Sequence, residues 1–167
     1  LGLSTVYIVT KDSEVKLVDP SMQEFRDAIT NQKNGTISEI HITGHGSTFF
    51  QDIDNESEGL LNLDGRVVFT DNCNSFAEFV RDKLSPTASI YLDGCNTARE
   101  YFFKDTENIA RQLSRDLPNV SVVGNKGFAI GNELRYLWFF GSSRYIRFGK
   151  SSVTAAFPRT YRNGVVK

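Results

Sequence analysis

A histidine and a cysteine each follow a predicted buried strand and lie next to glycine. Residues 40–46 read Ile-His-Ile-Thr-Gly-His-Gly, so His45 lies between two glycines where an apolar, β-branched run ends. Residues 88–93 form a second apolar run, which Gly94 and Cys95 follow directly. Glycine beside a reactive side chain lets a ligand approach the backbone closely, and an imidazole near a thiol can take up its proton. The two residues therefore predict a His–Cys catalytic dyad.

Strand and helix patterns alternate over most of the chain. Their order predicts an α/β sandwich with a mostly parallel central sheet flanked by helices, a β-hairpin insertion around Asp64-Gly65 and a β-rich C-terminal part. Right-handed crossovers bring the C-terminal ends of parallel strands to one edge, where ligand sites of open sheets lie. We therefore expect His45 and Cys95 to meet at that edge. The strands are predicted at 3–10, 14–18, 37–43, 88–93 and 120–123.

Two of the predicted helices start at recognisable sequence signals. Asp19 and the proline after it give an N-cap and a first-turn proline. Ser75 and Glu78 have the spacing of a capping box, and the apolar stripe of that helix is expected to continue to Leu84. Residues 47–59, between His45 and the predicted hairpin, are expected to form a loop that carries four acidic side chains.

A third helix is expected to begin just after Cys95, because Thr97 and Glu100 also have capping-box spacing. The N-terminus of such a helix would favour the Cys95 thiolate. Backbone N–H groups of Gly46 and Cys95 lack side-chain bulk around them, so they are the candidate donors to a tetrahedral oxyanion.

The composition is that of one soluble domain spanning residues 1–167. Hydrophobic residues make up 40% and charged residues 23% of the 167 residues, which is ordinary for globular proteins. A net charge of −1 gives no overall field for nucleic acid, and no apolar run is long enough to span a membrane. Two cysteines are too few for a disulfide scaffold. Because the chain begins at Leu1, we expect an excised domain or a processed fragment.

The histidine and cysteine motifs resemble those of a known enzyme family. A strand ending in His-Gly, with a strand ending in a small residue and Cys 50 residues later, is similar to the caspase-like (clan CD) cysteine peptidases. Gly-His-Gly and Gly-Cys-Asn most resemble the autoprocessing cysteine protease domains of large bacterial toxins and effectors. The resemblance implies a caspase-like sandwich in which Cys95 is the nucleophile, His45 the general acid and base, and Gly46 and Cys95 the oxyanion donors.

The same resemblance implies partners and regulation. The substrate would be a peptide or protein, including the parent chain, and the domain would act after secretion or delivery into a host cell. No metal or organic cofactor is needed for the chemistry, but toxin domains of this kind are activated by inositol hexakisphosphate. Such a polyphosphate would bind the basic segment 134–167, which contains no acidic residue. The candidate effector-binding residues are Arg135, Arg144, Arg147 and Lys150.

Asp93 stands two positions before Cys95, where metacaspases have an aspartate that helps to form an acidic P1 pocket. The resemblance therefore implies cleavage after Arg or Lys, whereas the toxin domains have an apolar residue there and prefer Leu. Asp93 could instead cap a helix or belong to a structural hydrogen-bond network.

Other interpretations of the same residues remain open. Cys73 competes with Cys95, because Asn72-Cys73-Asn74 also precedes a predicted capping box, although no glycine comes before it. His41 alternates with isoleucines and is expected to be a sheet residue. The acids of residues 52–58 are expected to be solvated rather than to bind calcium. The whole domain could also be a non-catalytic caspase-like module that regulates or binds polyphosphate.

Overall fold

A computed structural model describes residues 4–53, 66–68, 72–100, 107–127, 129–131, 143–148, 151–156 and 158–167. The largest sheet in this part of the chain has seven strands, and two further sheets have three strands each. The described strands are β1 (Thr5–Thr10), β2 (Glu14–Val18), β3 (Ile37–Thr43), β4 (Gly46–Ser47), β5 (Phe50–Asp52), β6 (Arg66–Val68), β7 (Leu84–Leu92), β8 (Ser121–Asn125), β9 (Ala129–Gly131), β10 (Ser143–Phe148), β11 (Ser151–Ala156), β12 (Pro158–Arg162) and β13 (Val165–Val166). The described helices are α1 (Met22–Thr30), α2 (Cys73–Arg81) and α3 (Ile109–Asp116).

The central sheet is mixed, with the strand order β13-β12-β8-β7-β3-β1-β2. Only the middle pairings, β3 with β7 and β7 with β8, are parallel, whereas the outer pairings are antiparallel. The α/β class is therefore correct, but a mostly parallel sheet is correct only for the middle. The reason is that β2 reverses the chain before the first crossover, so β3 runs parallel to β2 and antiparallel to the β1 strand between them.

The core lies between the sheet and the three described helices. Inward-facing residues of the middle strands, such as Ile40 and Ile90, pack with Phe25 of α1, Val80 of α2 and Leu113 of α3 in one apolar cluster. The described helices thus share one face of the sheet. The opposite face carries a smaller buried cluster formed by Tyr7, Tyr91 and Val123.

Several element boundaries differ from the sequence expectation. The N-cap of α1 is Ser21, which forms a reciprocal capping box with Glu24. Asp19 instead has a positive φ of 46°, and its carboxylate accepts from the Ser4 N–H. This polar bond to the start of β1 holds Asp19 outside the helix.

The junction between α2 and β7 also differs. The helix ends at Arg81, and Leu84, expected on its apolar stripe, begins β7 instead. Pro86 lies inside this strand, where the register against β3 jumps from Ile37–Leu84 to Glu39–Ser89. At such a bulge the sheet requires no backbone N–H from the proline, so the strand continues past Pro86.

The expected loop after His45 is in part a sheet. β4 and β5 form a hairpin with Ser47 opposite Phe50, and β5 then pairs with β6. The predicted hairpin turn at Asp64-Gly65 lies outside the described residues, as do three of the four acids expected in the loop. The fourth, Asp52, is buried in β5 rather than solvated. The C-terminal part is β-rich as predicted, since β9, β10 and β11 form one sheet and β12 and β13 extend the central one.

Candidate active site

Two neighbouring parallel strands bring His45 and Cys95 to the same edge of the central sheet. In the register of β3 against β7, Ile42 lies opposite Leu92, and the Asp93 N–H donates to the Ile42 carbonyl at 2.8 Å. His45 and Cys95 each follow three positions after this pair. Because both residues are equally far from this pair of strand residues, the loops that carry them begin next to each other. The His45 side chain is exposed and that of Cys95 is half-buried, and neither cysteine is in a disulfide.

The glycines next to the two residues pack backbone against backbone. A Cβ built on Gly46 would lie 2.8 Å from the Cα of Gly94, and one built on Gly94 would lie 2.7 Å from the Cα of Gly46. Real Cβ atoms do not approach other atoms this closely. The contact therefore requires glycine on both sides, and it joins the residue after His45 directly to the residue before Cys95.

A buried glutamine ties these loops together. Gln51, on β5, is 0% exposed. Its side-chain oxygen accepts from the Gly94 N–H at 2.8 Å, while its Nε2 donates to the carbonyls of Asp52 at 2.9 Å and His45 at 3.4 Å. The Asp52 N–H also donates to the His45 carbonyl, at 2.8 Å. One side chain thus bonds to the backbone of both loops.

Thr97 and Asn125 also bond to the turn that carries Cys95. The Thr97 hydroxyl donates to the Leu92 carbonyl at 2.9 Å and accepts from the Asn125 N–H at 3.1 Å. Asn125, buried at the end of β8, donates through its side chain to the Gly94 carbonyl at 3.2 Å. The turn is therefore bonded to β8 on one side and to β5 on the other.

The hairpin register directs the Gly46 amide toward this turn. Because the Asp52 N–H bonds to the His45 carbonyl, the Gly46–Gln51 pair that follows is a non-hydrogen-bonded pair of the antiparallel ladder. The backbone groups of such a position point away from the partner strand. For Gly46 this direction is away from β5, and its nitrogen would lie 3.0 Å from a Cβ on Gly94.

The helix expected just after Cys95 does not start there. Residues 95–98 form a turn, Asn96 has a positive φ of 58°, and the next described helix is α3, which Asn108 caps. In place of the Thr97–Glu100 capping box, the Thr97 hydroxyl accepts from the Asn125 N–H, and the Glu100 carboxylate pairs with Arg159. Within the described residues, Cys95 therefore lies in a turn and not at the start of a helix.

Asp93, two positions before Cys95, lies beside His41. Its side chain is 3% exposed, and its Oδ2, 3.8 Å from His41 Nδ1, has no hydrogen-bond partner within the described part of the chain. His41 lies within β3, fully buried, with its Nε2 3.1 Å from a Glu39 carboxylate oxygen and its ring stacked 4.0 Å from that of Tyr91. Asp93 is therefore a buried carboxylate with one imidazole close to it.

Cys73 lies in an environment of the opposite kind. It is the first residue of α2, is 2% exposed and belongs to the apolar core. Burial raises the pKa of the Cys73 thiol far above its ordinary value, and the negative charge of Asp116 raises it further. A thiol held protonated and buried is a poor nucleophile. The expected Ser75 cap is also absent, since Asn72 occupies the N-cap position of α2 and makes no side-chain cap bond.

Glu100, a few positions after Cys95, joins this loop to strand β12. Its carboxylate lies 2.7 Å from Arg159 and 3.8 Å from Arg111, and it accepts from the Tyr161 hydroxyl at 2.8 Å. Desolvation pushes the pKa of Glu100 upward, but the Tyr161 hydrogen bond and the two arginines outweigh it, so the pKa lies below its ordinary value. Burial raises the pKa of Tyr161, which also accepts from Asn108.

The predicted effector residues are only partly covered by the structure. Arg144 and Arg147 lie on β10, opposite Ala155 and Ser152 of β11, whereas Arg135 and Lys150 are outside the described residues. Among the side chains that are described, no group of three His, Cys, Asp or Glu is arranged to hold a metal ion.

Gln51, Thr97 and Asn125 are the site residues that sequence reasoning missed. Gln51 fell in a segment expected to be a loop, and its partner Gly94 is 43 positions away. Thr97 was noticed only as a helix cap. No local spacing connects these residues, and the pairing of β4 with β5 is the one feature that could have indicated a buried Gln51.

Comparison with known proteins gave no match: no family model, no curated protein and no solved structure is similar to this chain. None of the described helices is long and apolar enough to cross a membrane, since the longest have nine residues.

Proposed function

We propose that this domain is a cysteine endopeptidase with a His45–Cys95 dyad and a caspase-like fold. The observation that carries the proposal is the backbone contact between Gly46 and Gly94, which brings the histidine and cysteine loops together at one edge of the sheet. The exposure of His45, the partial exposure of Cys95 and the exclusion of Cys73 from solvent support the same assignment. The parallel order β3-β7-β8, with both loops at strand C-terminal ends, is consistent with the caspase-like architecture.

The chemistry follows from these groups. His45 takes the Cys95 proton, and the thiolate attacks the scissile carbonyl carbon while the carbonyl oxygen becomes an oxyanion that accepts from the Gly46 and Cys95 amides. The C–N bond then breaks as His45 gives its proton to the leaving amine. Water, deprotonated by His45, attacks the thioester and releases the acid and the Cys95 thiol.

Asp93 is the proposed determinant of specificity for Arg or Lys at P1. A buried carboxylate with an oxygen that accepts no hydrogen bond from the described residues is an incomplete electrostatic arrangement, and a cationic side chain would complete it. The test is cleavage of fluorogenic peptides that differ only at P1. Arg and Lys peptides are expected to be cleaved and Leu peptides not, and Asp93→Asn is expected to remove the difference. Equal cleavage of Arg and Leu peptides by the wild-type protein contradicts the assignment.

The proposed context is a toxin or effector domain that cleaves its own parent chain or a host protein and is activated by inositol hexakisphosphate. The support is the density of Arg and Lys in the acid-free segment 134–167. Adding the polyphosphate in a thermal-shift assay is expected to raise the melting temperature and the rate of peptide cleavage. An unchanged melting temperature at high ligand concentration contradicts activation but leaves the peptidase proposal intact.

Mass spectrometry of peptide mixtures and cell extracts tests the activity itself. The wild-type protein is expected to generate new peptide termini, and Cys95→Ala to generate none. Turnover that survives in Cys95→Ala contradicts the dyad. If polyphosphate binds and the wild-type protein cleaves nothing with or without it, the chain is a non-catalytic binding module instead.

A further inference from the structure

Both peptide units of Gly94 are held by side chains from other elements. Its N–H donates to the Gln51 side-chain oxygen at 2.8 Å, and its carbonyl accepts from the Asn125 side chain at 3.2 Å. The Thr97 hydroxyl lies 3.3 Å from the same carbonyl, but its single proton serves the closer Leu92 carbonyl at 2.9 Å. Asn125 is therefore the main donor to the Gly94 carbonyl.

The direction of the Cys95 amide follows from this arrangement. No peptide bond in the described residues is cis, and a trans peptide plane sets its C=O and N–H in opposite directions. Because Asn125 holds the Gly94 carbonyl, the Cys95 N–H points away from Asn125. Gln51 also occupies the Gly94 N–H, so that amide is not available to a substrate.

The position of the Gly46 amide depends on the same glutamine. Gln51 is the cross-strand partner of Gly46, and its Nε2 donates to the carbonyl of His45, whose carbon is bonded to the Gly46 nitrogen. The chemistry of the partners also fixes the amide orientation of Gln51, because two carbonyls require the NH₂ group and an N–H requires the oxygen.

We propose that Gln51 and Asn125 are positioning residues that set the direction and separation of the Gly46 and Cys95 amides, so that the two amides converge on one oxyanion. This inference rests on the proposed peptidase function. Neither side chain touches the reacting atoms; each acts through the backbone of the turn before Cys95 or after His45. Both are buried, which keeps water from competing for their hydrogen bonds.

Two substitutions of nearly identical shape test the proposal. Gln51→Glu keeps an acceptor for the Gly94 N–H but turns a carboxylate oxygen toward the two carbonyls. Asn125→Asp replaces the NH₂ group that donates to the Gly94 carbonyl with a carboxylate oxygen. Gln112→Glu is the matched control, because among the described residues the Gln112 side chain donates to Asp116 within its own helix, α3, and not to either loop. Gln51→Met, which keeps the volume and adds no charge, replaces Gln51→Glu if that variant does not fold.

The measurements separate oxyanion binding from thiol reactivity. A P1 library identifies the peptide that the wild-type protein cleaves best; kcat and KM are then measured with it, together with inhibition by the corresponding peptide aldehyde and alkylation of Cys95 by iodoacetamide. Aldehyde addition creates an oxyanion and alkylation does not. Loss of a positioned oxyanion donor is expected to lower kcat by about 100-fold and weaken aldehyde binding in parallel, with KM and the alkylation rate nearly unchanged.

Each outcome decides between the two proposals. If the wild-type protein cleaves no peptide, the peptidase function fails and this inference fails with it. If the wild-type protein and both variants have the same kcat, only the positioning role is overturned. Alkylation that slows as much as kcat also overturns it, because the substitutions would then have displaced the thiol itself. The control variant is expected to match the wild-type protein in every measurement.

Discussion

The two cysteines follow similar sequences, Asp-Asn-Cys-Asn-Ser around Cys73 and Asp-Gly-Cys-Asn-Thr around Cys95, and the fold gives them different surroundings. Cys73 is the first residue of a helix and packs in the core between α2 and α3. Cys95 is half-buried in a turn that rests on the glycine after His45. The residue before each cysteine, Asn72 or Gly94, is the main difference between the two sequences.

Cys73 is the cysteine at a helix N-terminus, but its thiol remains protonated. A helix dipole stabilises a nearby anion by about 0.3–1 kcal/mol, which is less than one pKa unit at about 1.4 kcal/mol each. Burial raises the pKa of a thiol by up to about 3–5 units, and the Asp116 charge adds to this at Cys73. Burial therefore outweighs the dipole, and the environment of the side chain decides reactivity more than the start of a helix does.

The largest effect in this comparison is expected from removing each thiol in turn. Cys95→Ala should lower kcat by at least about 10⁴-fold, since the nucleophile is lost, whereas Cys73→Ala should leave kcat within about twofold of wild type. Peptide cleavage followed by fluorescence gives both values. Should Cys73→Ala abolish turnover in a protein that still melts cooperatively, the roles assigned to the two cysteines are reversed.

Local patterns predicted much of the fold. β3 has the predicted bounds, Ile37–Thr43, because its alternation and the preceding glycine are properties of the segment itself. The rule for parallel strands then placed the His45 and Cys95 loops at one edge. The mixed strand order was missed, because it depends on which edge β2 and β12 join, and this is decided by packing over the whole chain.

The support around the site could not be read from the sequence. The Thr97 and Glu100 spacing predicted a helix, but the Thr97 hydroxyl accepts from the Asn125 N–H and the Glu100 carboxylate pairs with Arg159. Long-range partners thus override a local capping pattern. Gln51 and Asn125 belong to strands far from Gly94 in sequence, so no spacing rule connects the three residues.

Thiol labelling of the folded protein sharpens the comparison without needing a substrate. Iodoacetamide is expected to modify Cys95 readily and Cys73 only when α2 opens, because Cys73 is buried and its thiol remains protonated. An opening free energy of about 4 kcal/mol would slow labelling roughly 10³-fold. Mass spectrometry of tryptic peptides measures both rates, and full denaturation should make them similar. Equal labelling rates in the folded protein would contradict the burial of Cys73.

A methyl group at the residue before each cysteine tests the glycine difference. In Gly94→Ala the new Cβ would lie 2.6 Å from the Gln51 side-chain oxygen and 2.7 Å from the Gly46 Cα, so the two loops must separate. A displacement of about 1 Å between reacting groups costs about 100-fold in rate. Asn72→Ala is the matched change before Cys73, and its kcat is expected to stay near that of wild type. Wild-type kcat in Gly94→Ala would show that the glycine contact is not required.

The smallest expected effect concerns the polar bonds between the Cys95 loop and strand β12. The folded-state pKa of Glu100 is lowered by the Tyr161 hydrogen bond and the Arg159 and Arg111 charges, which outweigh desolvation. A lowered carboxyl pKa contributes stability above the unfolded pKa, about 4.3, and this stability is lost as the pH falls through the folded pKa. Glu100→Gln should therefore lower the melting temperature at pH 7, and the difference from wild type should shrink as the pH falls below 4.

The exposure of Glu100 sets the expected size of the effect. Because Glu100 is partly exposed, solvent screening leaves a contribution of about 1 kcal/mol to the free energy of unfolding. For a domain of this size, that loss lowers the melting temperature by about 2–4 °C. Glu107→Gln is the matched control, because Glu107 pairs with Arg115 at the surface, and an isolated surface pair contributes little. Calorimetry between pH 3 and pH 7 compares both variants with wild type. A melting-temperature difference for Glu100→Gln that grows toward low pH would mean that Glu100 is protonated more easily when folded, which contradicts its stabilisation by Arg159 and Tyr161.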